Sequence, residues 1–168
     1  MTVSGPLSAI PFGASWFNAP TGWLPTLLVA PYGGWLTGLS ADSQARWINP
    51  LTPAANSTSV LYAVPFTVQT ECINSATLTL DYVIDDFLGD PAGAPNTGVY
   101  INGLPTTPAI TGSGHTVNSN AVRTVTGLVH PGVNYMYLYQ HNTGQAASGI
   151  IFSARVEIEC CPQPPAGC

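Results

Sequence analysis

The stretch SATLTLDYVI, residues 75–84, decides the fold. Ala76, Leu78, Leu80, Tyr82 and Ile84 alternate with Thr77, Thr79 and Asp81. Successive side chains on an extended chain point to opposite faces, so this is a strand with one buried face. Strand signals continue on both sides of it. Upstream, VLYAVPFTVQTEC (60–72) reads as a strand whose Pro65 marks an edge or a bulge, because proline has no N–H to give a ladder. Downstream lies a Gly-, Pro- and Asp-rich loop, DDFLGDPAGAPNTG (85–98). Then comes VYINGLPTT (99–107), where Asn102-Gly103 is a two-residue hairpin turn. AVRTVTGLV (121–129) is a further strand, and HPGVN (130–134) is a turn into YMYLYQHN (135–142). The last strand is SGIIFSARVEIE (148–159), with Ile150, Phe152, Ala154, Val156 and Ile158 facing in. Short strands at this spacing, without a helical period, give an all-β, antiparallel β-sandwich.

Residues 1–58 behave differently. Prolines and glycines interrupt them every few positions, and Trp16, Phe17, Trp23, Trp35 and Trp47 supply large apolar surfaces. This part is an extended N-terminal arm with loops and one or two short strands. Its aromatics cover either the sandwich of their own chain or a neighbouring subunit. The organisation is therefore an arm over 1–58, a sandwich over 59–159 and a Cys/Pro-rich tail over 160–168.

Composition excludes several functions. Charged residues make up 7% of the 168 residues, against roughly 25% in an average domain. There is no lysine, the cations are Arg46, Arg123 and Arg155, and the net charge is -5. Nucleic acid binding needs clustered Lys and Arg and is excluded, as is a polybasic membrane contact. The longest apolar run, WLPTLLVAPY (23–32), is broken by prolines and too short to span a bilayer, so no membrane insertion is expected. The start, MTVSGPLSAIPFGASW, lacks the basic and apolar regions of a classical signal peptide. The cysteines point to an oxidising final environment, extracellular or at a spore or cell surface.

The order Tyr62 and Phe66, ATLTLDYVIDD, VYING, LVHPGVNYMYLYQHN and SGIIFSARVEI resembles the galactose-binding-like jelly-roll sandwiches, such as sugar-binding modules of glycoside hydrolases. The resemblance covers residues 60–159. It implies a jelly roll, and carbohydrate binding as one of the roles that fold hosts.

Catalytic motifs are missing, and no enzyme activity is expected. GSGH (112–115) has neither the lysine of a phosphate loop nor the pattern of a nucleophile elbow. His115, His130 and His141 sit in separate loops without metal-ligand spacing, and no cofactor is expected. Asp85, Asp86 and Asp90 form either a solvated acidic loop or a weak Ca²⁺ site of the kind related sugar-binding modules hold.

Tyr135, Tyr137 and Tyr139 alternate with Met136 and Leu138. With Met136 and Leu138 in the core, the tyrosines line the opposite face. That row suits a subunit interface, a sugar platform, or a strand buried on both faces within one chain.

Three of the four cysteines lie in the final nine positions, in CCPQPPAGC. Strand parity places Cys160 inward and Cys161 outward, and it places Cys72 on the core face with Phe66, Val68 and Thr70. Cys72 pairs with Cys160 in the same chain or accepts a tail cysteine from another. Four cysteines allow three intrachain connectivities, and the sequence leaves them open. The proline-rich tail is extended, with a reach of about 20 Å from Cys161 to Cys168. A jelly roll with the CC-x6-C layout on a flexible end resembles endospore appendage subunits in its assembly strategy, although the connector of that family is N-terminal. That resemblance implies Cys160, Cys161 and Cys168 as donors of inter-subunit disulfides and Cys72 as acceptor. The leading expectation is a self-assembling fibre subunit, a homo-oligomer or polymer. The alternative is a carbohydrate-binding module whose partner is a glycan.

Overall fold

The computed structural model describes residues 3–6, 24–49, 59–93, 96–143 and 147–162. Eleven strands form in this order: β1 (Val3–Pro6), β2 (Leu24–Pro25), β3 (Leu27–Leu28), β4 (Ile48–Asn49), β5 (Val60–Val68), β6 (Ile73–Leu88), β7 (Val99–Ile101), β8 (Leu104–Pro105), β9 (Gly112–Thr124), β10 (Gly132–His141) and β11 (Gly149–Cys160). All their pairings are antiparallel. The described residues contain no α-helix, only one 3-10 turn at Thr126–Leu128.

The strands make two layers. One runs β2-β1-β5-β10-β7-β8 and the other β9-β6-β11-β4-β3. They join where Gln140 and His141 of β10 pair with Leu88 and Phe87 of β6. On the far side a single run of chain serves both layers: Leu24–Pro25 ends the first and Leu27–Leu28 ends the second.

The core between the layers follows the alternation of β6. Ala76, Leu78, Leu80, Tyr82 and Ile84 are buried against Val60, Tyr62, Val99, Ile101, Met136, Leu138 and Ile150. Burial of this apolar surface at roughly 25 cal/mol per Å² is the main stabilising term. Two turns set the register. Asn102 (φ 50°) and Gly103 (φ 84°) close the β7–β8 hairpin with both central residues left-handed. The buried Asn134 amide donates to the His130 and Gly132 carbonyls and accepts from Asn102 Nδ2, which fixes the entry into β10.

Part of the arm forms a third layer. Trp35, Leu39, Ala45 and Trp47 are buried on Val83 and Ile151, the outward residues of β6 and β11. The indoles of Trp35 and Trp47 lie 4.1 Å apart between centroids. Gly149 lets them close down, since a Cβ there would stand 3.3 Å from both rings. These two aromatics therefore cover their own sandwich. Trp16, Phe17 and Trp23 lie outside the described residues.

Pro65 sits in the half of β5 beyond the reach of β1, where a missing N–H costs no ladder bond. Ala154, expected to face in, is exposed. Past Ile150, β11 has no partner on its far side among the described residues.

Candidate functional site

Two regions emerge from these layers: a groove at the arm and a sulfur cluster at the opposite end of β6 and β11. The groove begins with β3 and the chain that follows it. The backbone N–H of Val29 donates to the Trp47 carbonyl at 3.0 Å, which seats this run on the sandwich. The chain then turns through Pro31-Tyr32-Gly33-Gly34, closed by the Trp35 N–H donating to the Tyr32 carbonyl at 2.8 Å. Gly34 sits at φ 89°, a conformation that favours glycine. The turn leaves Tyr32 61% exposed and edge-on to Trp35, with centroids 6.5 Å apart.

Between Leu28, Tyr32 and Trp35 on one side and Ala147 and Ser148 on the other lies a groove of about 350 Å³. That is within the ~300–1,000 Å³ span of small-ligand clefts. Buried Asn49 lies at its base and donates through Nδ2 to the Ser148 carbonyl and, at 3.3 Å, to Ser148 Oγ. None of the described lining residues is charged.

Beneath the groove lies the end of β6. Trp35 Nε1 donates to Asp85 Oδ2 at 3.0 Å, and His115 Nδ1 of β9 stands 3.7 Å from Asp85 Oδ1. Burial pushes the Asp85 carboxyl up from its ordinary range; neighbouring Asp86 raises it further, and His115 and the Trp35 indole oppose the shift. Asp86 accepts from the Thr143 N–H and, at 2.9 Å, from its hydroxyl. Gln140 donates to the Asp85 carbonyl and accepts from the buried Tyr62 phenol at 2.6 Å, and burial pushes that phenol well up.

The weaker Ca²⁺ alternative would need Asp85, Asp86 and Asp90 together. Asp90 instead caps its own turn by accepting from the Ala92 N–H at 2.9 Å, while Asp85 and Asp86 hold Trp35 and Thr143. Among the described residues no group of three or more His, Cys, Asp or Glu is placed to hold a metal. His115 and His141 lie on strands β9 and β10 rather than in loops. The three arginines are engaged: Arg46 with Ser43 and Ala45 carbonyls, Arg123 with Pro108, Ala109 and Val122 carbonyls, and Arg155 with Glu157.

The tyrosine row is corrected as a sugar platform. Tyr137 and Tyr139 are 2% and 5% exposed and cluster with Leu61, Ala63 and Tyr100, with Tyr135 packed half-buried beside them. Burial raises the phenols of Tyr100, Tyr137 and Tyr139. From Met136 to Gln140 the strand is buried on both faces.

At the other end, Cys72 bonds Cys161, with Cα atoms 5.4 Å apart. The sequence left Cys160 of the same chain and a tail cysteine of another chain open as partners, and its parity put Cys72 at the core face. β5 ends at Val68, so that run of parity stops short of Cys72, and a bulge on β6 decides its side. Glu159 pairs with Ser75 but Cys160 pairs with Ile73, so Asn74 is an extra residue on β6. One extra residue moves everything before it to the opposite face. Ile73 turns toward the core and Cys72 away from it, opposite Cys161, whose N–H reaches the Cys72 carbonyl at 3.3 Å. Cys160 is free and exposed, lining the open end of the sandwich with Ile158 and Val68. Cys168 lies outside the described residues.

No protein-family model matches the chain, and no curated protein matches it. Solved structures with a similar arrangement include a family 35 carbohydrate binding module from Clostridium thermocellum, at 14% identity and TM-score 0.42 over 78% of this chain and 86% of that one. CBM35 from Paenibacillus barcinonensis follows at 11% identity and TM-score 0.38, covering 77% and 88%. A family 35 module from an environmental isolate has 13% identity and TM-score 0.39, covering 86% and 96%. At these values the functional reading rests on the groove of the chain itself.

Proposed function

We propose that the chain is a non-catalytic β-sandwich module that holds a neutral carbohydrate in the groove between Tyr32 and Ser148. The observation that carries this is an exposed tyrosine ring over a cleft whose described lining has no charge. An aromatic face packs on the apolar C–H side of a sugar ring, and nearby hydroxyls meet the sugar hydroxyls. An ionic ligand would find no counter-charge there. The jelly-roll resemblance of residues 60–159 accords with the reading. The Cys72–Cys161 bond fits an extracellular or cell-surface setting, where disulfides persist. Native gels cast with soluble neutral polysaccharides test it. At least one should retard the protein, and Tyr32→Ala, an exposed change, should abolish the retardation. Equal mobility of both proteins in every polysaccharide would defeat the reading.

A second reading rests on Cys160, an exposed free thiol beside a bonded neighbour. In it, Cys160 and Cys168 join copies of the chain into a surface polymer. Two thiols become one disulfide, and a small-molecule disulfide is reduced to two thiols in exchange. Non-reducing gels should then show a ladder that a thiol collapses to one band near 17.5 kDa, and Cys160→Ser should shorten it. Monomer alone on non-reducing gels rejects this assembly.

A further inference from the structure

The two sides of the groove are tied to one dipeptide. Trp35, on the first side, donates its indole N–H to Asp85 at 3.0 Å. The second side, Ala147 and Ser148, follows four residues after Thr143, whose N–H and hydroxyl both bond Asp86. The Asp85 carbonyl also takes a hydrogen bond from Gln140, which bonds the Gly149 carbonyl at 3.3 Å, just after Ser148. Neighbouring carboxylates on β6 thus bond elements on both sides of the groove.

We infer that Asp85 and Asp86 are the positioning residues of this groove: they set its width from below and do not touch the ligand. The inference rests on the proposed carbohydrate site for its ligand, but its first observable does not involve one. Both carboxylates accept charge-assisted hydrogen bonds, which are stronger than neutral ones and fix geometry in proportion. The described titratable groups acting on Asp85 are Asp86 and His115 from β9, and His141 lies on neighbouring β10, where it pairs with Phe87. β11 presents Gly149 and β10 presents neutral Gln140. Acid therefore reaches Asp85 before ordinary aspartates, and loss of its charge weakens the hold on Trp35.

The test is hydrogen exchange read by NMR on the full chain, at the Trp35 indole N–H and the Thr143 amide. Asp85→Ala should speed the first and Asp86→Ala the second, each at least about tenfold, while Leu78 and Leu80 amides stay protected. Asp85→Asn and Asp86→Asn keep an acceptor oxygen and should restore much of the protection. Thr143→Val, at an exposed position, removes only the hydroxyl bond and serves if an aspartate variant fails to fold. Affinity for the polysaccharide that retards the wild type should fall in both Ala variants and recover in both Asn variants. Unchanged exchange at both N–H groups overturns the inference, as does faster exchange with unchanged affinity. Faster exchange in a protein that binds no polysaccharide upholds the positioning role and defeats the carbohydrate reading instead.

Discussion

Removing the Cys72–Cys161 bond isolates the largest single covalent contribution to this fold. The two cysteines are 89 residues apart, so the bond closes most of the sandwich into one loop. The chain-entropy relation gives ~4.6 kcal/mol at 25 °C for a loop of that length, an upper figure because unfolded chains keep residual structure. We expect Cys72→Ser and Cys161→Ser each to cost about 3–4 kcal/mol. The double variant should cost no more than either single, because all three lose the same bond. At about 2–4 °C per kcal/mol for a chain of this size, the melting temperature should fall by about 6–16 °C. Urea denaturation followed by fluorescence is the assay. The slope against urea should also rise in the variants, since the uncrosslinked chain exposes more surface when unfolded. A loss under about 1 kcal/mol would refute the loop-closure reasoning. Peptide mapping that found Cys72 bonded to Cys160 would refute the bulged register from which the pairing follows.

Asp85 gives a pH dependence with a definite sign. Its folded pKa is raised, chiefly by burial, so the folded state holds the proton more tightly than the unfolded state. Its contribution is fully present below the ordinary aspartate range and is lost as pH rises through the raised value. Stability of the wild type relative to Asp85→Asn should therefore grow as pH falls from neutral toward about 4, and calorimetry showing the opposite slope contradicts it. Trp47→Ala should cost ~3–5 kcal/mol, because the indole is buried on β6 and β11 and donates to the Leu36 carbonyl at 2.7 Å; a loss under about 1 kcal/mol in urea would contradict its packing role. Chelator should leave the melting temperature unchanged, since no three His, Cys, Asp or Glu among the described residues are placed to hold a metal; a drop reversed by Ca²⁺ would contradict this.

The parts of the fold written in local pattern were legible. The alternation of β6 fixed the inner face, and Asn102-Gly103 announced its own turn, because both depend on neighbours in sequence. What escaped depended on distant partners. Asn74 carries no signal of a bulge, yet its insertion turns Cys72 away from the core to the side where it bonds Cys161. Tyr137 and Tyr139 alternate as a half-exposed strand would, but they lie buried in one cluster beside their cross-strand neighbours Leu61, Ala63 and Tyr100. The groove is assembled from residues 28–35, 49 and 147–148, which no motif connects. The available signal was WLPTLLVAPY, an apolar run ending in a tyrosine and followed by two glycines, too broken by prolines to be a core element. Asp85 and Asp86 were visible as an acidic pair, while their partners Trp35 and Thr143 were not.

The central claim is that the Tyr32 groove holds a neutral sugar. Titration of the isotope-labelled protein with the oligosaccharide unit of a retarding polysaccharide tests it most directly. Saturable shifts confined to the Trp35 indole, the Asn49 side-chain amide and the Ser148 amide, with Tyr137 and Tyr139 unmoved, are the expected result. Shifts centred anywhere else on the sandwich, or none at saturating sugar, would contradict it.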